Sequence, residues 1–202
     1  NLSNLLIGSR EFKEAEMFLR KAIEVHPKLA EAYNSLGKVL IELDQIKDAE
    51  KSFIEAIRLK PKYYKPFFNL AVLFMKYGLL QKAEELFYTA IKLKPNYAKS
   101  YLYLSLLEYS DHNKILQETL FSESILKNQL KEDKVAIYFA RANVLHRNRN
   151  YFQSSKCLKI ANTLKLEIKP SNITTLINES KSLVLESNQK IIKKNINLPD
   201  NI

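Results

Sequence analysis

The sequence predicts an all-α solenoid of about five helix–turn–helix units with a C-terminal capping helix, and three observations carry that prediction. The first is a repeated phrase. "SFIEAIRLKP" at 52–61 returns 34 residues later as "LFYTAIKLKP" at 86–95, and "FLRKAIEVHP" at 18–27 is an earlier echo. A fixed period of this length marks stacked supersecondary units. The second is spacing: Leu36, Leu40 and Leu43 fall on one helical face, as do Ala49, Phe53, Ala56 and Ile57. The third is composition: 3 Gly and 6 Pro in 202 residues, with 46% hydrophobic residues, favour helices around a core over a turn-rich sheet protein.

The units follow in chain order. The first covers about 1–29, with a shortened first helix beginning near Asn1 and a second helix marked by Ala15, Leu19, Ala22 and Pro27. The second (30–63) and third (64–97) align column by column: Tyr33 with Phe67, Leu36 with Leu70, Gly37 with Ala71, Leu40 with Phe74, Ala49 with Ala83, Phe53 with Phe87, Ala56 with Ala90 and Pro61 with Pro95. Small residues stand where helices approach closely, and aromatic residues fill the spaces between. Pro61 and Pro95 fall just after the second helix, where Pro stops a helix cleanly. Gly78 lies in the turn inside the unit, where a positive φ costs Gly little. The fourth unit (98–134) has Tyr101, Leu104 and Ser105 on its first helix, a turn at "SDHN" (110–113) and a degenerate second helix over 114–128. The fifth (135–168) holds Tyr138, Ala142, Tyr151, Leu158 and Ala161 in register but lacks the final proline. A capping helix over 171–187, with Ser171 as N-cap and Ile173, Leu176, Ile177 and Leu183 on one side, closes the stack. The solenoid thus spans 1–187, and 188–202 read as a linker or tail.

The 34-residue unit and its column pattern resemble the tetratricopeptide (TPR) repeat. The resemblance implies a right-handed superhelix whose first helices line a concave, peptide-binding groove. The groove columns are Asn34, Lys38, Ile41 and Glu42 in the second unit and Phe68, Val72, Met75 and Lys76 in the third. In the fourth they are Leu102, Leu106 and Tyr109, and in the fifth Phe139, Asn143, His146 and Arg147. The middle of such a groove is apolar and its C-terminal end basic. An exposed apolar strip with a polar rim points to a binding site; the alternative is that superhelical packing or another domain covers it. The carboxylate clamp of chaperone-binding TPR proteins is only partly resembled by Asn34, Lys38 and Asn69, because Leu102 and Tyr103 supply no basic group opposite. The asparagine ladder of the O-linked N-acetylglucosamine transferase superhelix would need Asn at Ser35, Asn69 and Tyr103, and one of the three matches.

No catalytic, cofactor or metal site is expected, and the segment reads as non-enzymatic. His26, His112 and His146 are dispersed, and none stands at metal-ligand spacing to another His or to Cys157. Cys157, the single cysteine, excludes an internal disulfide, fits a cytoplasmic setting and falls on the packing side of a helix. Gly8, Gly37 and Gly78 are isolated, so no phosphate loop is present. "HRNRN" at 146–150 reads either as a turn or as an anion contact suited to the Arg fork. No apolar run is long enough to span a membrane, and the N-terminal stretch carries no basic leader or small-residue cleavage site, so no signal peptide is expected. A chain that does not begin with Met is expected to be a trimmed domain.

The net charge of +10 is uneven. Residues 1–130 carry 19 basic and 16 acidic side chains, and 131–202 carry 13 and 6. The basic residues are scattered rather than striped, which argues against nucleic acid as the partner. Residues 136–202, from "YFARANVLHRNRNYFQSSKCLKIANTLKL" through "IKPSN" and "SKSLVLES" to "NLPDNI", further resemble the N-terminal TPR region of bacterial TPR-containing sulfotransferases. That resemblance implies a substrate-recruiting or accessory role for a catalytic domain following residue 202. The expected partners are therefore a protein or peptide segment, a C-terminal sulfotransferase domain, and a second copy of the chain through the face left by the truncated first unit.

Overall fold

A computed structural model describes residues 11–107 and 113–168, and among these it contains nine α-helices and one 3₁₀ turn, with no strand. The helices are α1 (Phe12–Val25), α2 (Ala30–Glu42), α3 (Ile46–Leu59), α4 (Tyr64–Lys76), α5 (Leu80–Leu93), α6 (Ala98–Leu106), α7 (Asn113–Phe121), α8 (Lys131–Arg147) and α9 (Tyr151–Ile168). The 3₁₀ turn is Glu123–Leu126. The fold is an all-α solenoid of helix–turn–helix units.

The expected stop signals act where the sequence puts them. α1, α3 and α5 end two residues before Pro27, Pro61 and Pro95. In each, the residue after the helix donates its N–H to an alanine carbonyl four residues back: His26 to Ala22, Lys60 to Ala56 and Lys94 to Ala90. The turns inside the units share a second device. Gly78 has φ +75°, and Asp44 and Arg149 adopt the same left-handed backbone at 58° and 59°. In all three the next N–H reaches back five residues: Gln45 to Leu40 O, Leu79 to Phe74 O and Asn150 to Leu145 O, at 2.8–2.9 Å. These are Schellman closures, which satisfy carbonyls that a helix end leaves unpaired. Glycine is therefore the easy occupant of this position but not an obligatory one.

Packing proceeds from neighbour to neighbour. α2 packs on α1 and α3, and α4 on α3 and α5. Two buried clusters result. One gathers Ala15, Leu19, Leu36, Val39, Leu40, Ala49 and Phe53 with Leu70 and Leu73 of α4. The other begins on α4 with Phe68 and Ala71 and runs through Phe87, Tyr101, Leu104 and Leu120 to Ile137, Ala140 and Val144. α4 thus feeds both. Tyr101, fully buried, donates its hydroxyl to Pro95 O at 2.8 Å, and burial pushes its pKa up to about 12.

The fourth and fifth units depart from the expected pattern. α7 stops at Phe121, where a helix to 128 was expected, and the 3₁₀ turn follows. α8 starts at Lys131, four residues before the expected boundary at 135. α6 packs on α8 as well as on α5, and Ala136, Ile137, Ala140 and Val144 cover the core that the short α7 leaves open. Arg141 stands in the column that Leu36, Leu70 and Leu104 occupy in earlier units. It is buried, donates Nε to Leu120 O at 2.8 Å and Nη2 to Ser122 O at 3.0 Å, and lies against the Phe121 and Tyr138 rings. The carbonyls at the end of the shortened helix need donors, and Arg141 supplies them. The expected first helix near Asn1, the capping helix over 171–187 and the tail over 188–202 lie outside the described residues, as do Tyr109 and His112.

Candidate functional site

Helices α2, α4 and α6 are the first helices of successive units, and their equivalent columns frame one cleft of about 560 Å³. Leu19 and Ala22 of α1 and Phe68 of α4 supply apolar lining; Tyr63 and Tyr97 stand at the entries of α4 and α6. Glu31, Asn34, Ser35, Lys38, Lys65, Asn69 and Lys99 provide the polar groups. The volume lies within the roughly 300–1,000 Å³ of ordinary ligand clefts.

The cleft is built from the repeat itself. Glu31, Lys65 and Lys99 are 34 residues apart, as are Ser35 and Asn69, and Asn34 and Phe68. Phe68 is held by edge-on contacts to Tyr97 and Tyr103, with ring centres 5.2 and 5.3 Å away, and by Phe87 at 5.7 Å. Asn69 Nδ2 donates to Asn34 Oδ1 at 2.8 Å, joining two units through the floor of the cleft. Asn34 is 5% exposed, so this bond satisfies a buried acceptor. Glu31 accepts a bond from Lys60 Nζ at 2.6 Å, and that bond holds its carboxyl below the usual carboxylate range. Burial raises the Tyr63 and Tyr97 phenols above their ordinary pKa, so both stay neutral at physiological pH.

Of the groove residues expected from sequence, Asn34, Lys38 and Phe68 meet here. Ile41 is half-buried against the N-terminal core, and Val72, Met75 and Leu102 are half-buried against the second. The expected exposed apolar strip from Phe68 to Tyr109 is therefore corrected: Phe68 is 8% exposed, its neighbours are partly covered within the stack, and Leu106 at 55% is its exposed member among the described residues. The basic end is also committed elsewhere. Asn143 Nδ2 donates to Ser105 Oγ at 3.0 Å, and Arg147 Nη2 to Ser105 O at 2.7 Å. Phe139 is half-buried, and His146 is exposed with its ring 5.1 Å from Tyr151. The sequence reading missed Tyr63, Lys65, Tyr97 and Lys99, although their 34-residue spacing was visible. They stand at or just inside the entries of α4 and α6, outside the mid-helix columns that the TPR resemblance implies as groove-facing.

Among the described residues no group of three His, Cys, Asp or Glu side chains is placed to hold a metal. The Cys157 thiol is half-buried, and burial raises its pKa, which disfavours the thiolate. No helix among the described residues is long and apolar enough to cross a membrane.

Residues 18–51 and 64–97 each match a family model described as tetratricopeptide repeat. Over these two stretches the chain carries tetratricopeptide repeats. Comparison with curated protein sequences gives no match. Among solved structures, a crystal structure of MamA aligns with TM-score 0.56 and 18% identity, covering 83% of this chain and 96% of that one. A MamA RS-1 ArsTM double mutant aligns with TM-score 0.57 and 16% identity over 85% and 94%. YrrB, described as a TPR protein with an unusual peptide-binding site, aligns with TM-score 0.52 and 20% identity over 89% of each chain. At these identities the likeness is one of fold.

Proposed function

We propose that this chain is a non-catalytic scaffold that holds a peptide or protein segment in the cleft framed by α2, α4 and α6. The observation that carries the reading is the cleft itself: about 560 Å³, shared by three repeats, with an apolar wall and an amide pair on its floor. That combination suits an extended polypeptide, which offers both side chains and backbone polar groups. The description of YrrB as peptide-binding supports it by analogy of fold.

The test is capture of a phage-displayed random dodecapeptide library by the whole chain. Ser35 lines the cleft and is partly exposed, so Ser35→Trp fills the space from its edge. Enrichment of peptides by the native chain, with at least tenfold weaker binding to the Ser35→Trp chain at unchanged helicity, is the expected result. Equal binding by both would remove the cleft as the site.

The sulfotransferase-accessory reading extends this one, with the held segment as an acceptor for a catalytic domain. It rests on the resemblance of residues 136–202. Transfer from a sulfate donor by the full parent protein, with and without the repeats, decides it: acceptor use that ignores the repeats rejects it.

A further inference from the structure

The charges around the cleft are unbalanced. Glu31 is its one acidic lining residue, and Lys60 already neutralises it. Lys38, Lys65 and Lys99 line the cleft from α2, α4 and α6, are exposed, and form no ion pair with any described residue. Three ammonium groups from three helices around a partly apolar concavity focus a positive potential into it. The Asn34–Asn69 bond uses one oxygen and one nitrogen, leaving the Asn34 amide nitrogen and the Asn69 amide oxygen without a partner among the described residues. One can donate and the other accept, as a peptide backbone requires.

Resting on the cleft being the binding site, we infer that its occupant is an internal acidic stretch of polypeptide, carrying two or three Asp or Glu side chains and at least one apolar side chain. The apolar residue meets Ala22 and Leu29, the accessible apolar lining over the buried Leu19 and Phe68, and the carboxylates meet the three lysines. Charge number argues for an internal stretch: a single terminal carboxylate neutralises one ammonium, whereas the three lysines stand on separate helices.

The probe is a fluorescent decapeptide, acetylated and amidated, with three Glu and two Leu among Ser and Gly. It is compared with its Gln-for-Glu analogue, with the same peptide bearing a free C-terminal carboxylate, and with a single-stranded oligothymidylate. Anisotropy at low salt is expected to show the acidic peptide binding at least tenfold tighter than the Gln analogue. Amidation is expected to change nothing, and the affinity should fall as salt rises. Lys65→Gln with Lys99→Gln should weaken binding at least tenfold at an unchanged melting temperature, since both side chains are exposed. Equal binding of the Glu and Gln peptides would overturn the acidic assignment and leave the groove reading standing. Binding that needs the free terminus would replace it with end recognition. Oligothymidylate binding as tightly as the peptide, no binding of either peptide, or full binding by the double variant would each reject it.

Discussion

Gly37 shows how closely one residue fits this stack. A Cβ built there would lie 2.6 Å from Phe53 Cε1 and 2.8 Å from Cδ1. The Phe53 ring is fully buried, so it has nowhere to move. An alanine would gain about 1 kcal/mol of helix propensity, against overpacking that costs about 1–3 kcal/mol. The second effect should win, because the contact is with a rigid ring rather than a flexible chain end. Gly37→Ala is expected to destabilise the chain by about 1 kcal/mol and lower the melting temperature by roughly 2–4 °C; a higher melting temperature would show that the ring can yield. The next repeat accepts Ala71 in the same column, buried in the cluster that holds Phe87. The tightness at Gly37 therefore belongs to this pair and not to the repeat pattern in general.

At the scale of the element, α6 is the informative helix. It has 9 residues where α2 and α4 have 13, and its chain becomes extended at Leu107. Early termination leaves carbonyls without helical partners. Arg147 Nη2 donates to Ser105 O, while Ser105 Oγ donates to Leu102 O and accepts from Asn143 Nδ2. Side chains from α8 thus close the end of α6. With Asn143→Ala and Arg147→Ala together, amide exchange over 104–107 is expected to quicken at least tenfold, from the about 1.5–3 kcal/mol of a hydrogen bond to a charged group. Exchange in α2 should not change. Unchanged exchange over 104–107 would mean that α6 is held by its packing alone.

Across the whole molecule, stability passes through shared helices. Leu70 and Leu73 of α4 enter the N-terminal cluster, and Phe68 and Ala71 of the same helix enter the other. In a repeat stack, each interface is a nearest-neighbour contribution, so a central helix couples what lies on either side. Leu73→Ala, at 2% exposure, is expected to cost about 2–5 kcal/mol. It should reduce exchange protection in both α2 and α5 within one unfolding transition. Leu19→Ala, nearer the chain start, should loosen α1 and α2 while leaving α5 protected. Protection lost only in α2 after Leu73→Ala would show that the two clusters unfold independently.

The sequence by itself determined the helical period, the 34-residue unit, the stops before Pro27, Pro61 and Pro95, and the core columns of the second and third units. These were legible because they are local or strictly repeated: a helix records its buried face every three or four residues, and a repeat records it again. Asn34, Lys38 and Phe68 of the cleft were legible for the same reason. Tertiary structure alone decided which polar groups pair across units. Asn34 with Asn69 is separated by 35 residues, Asn143 with Ser105 by 38, and Arg141 with the end of α7 by about 20. Arg141 in a leucine column reads in sequence as a defect, yet in the fold it closes a helix that ends early. A side chain's partner depends on where another segment has stopped, and the chain's own periodicity carries no record of that position.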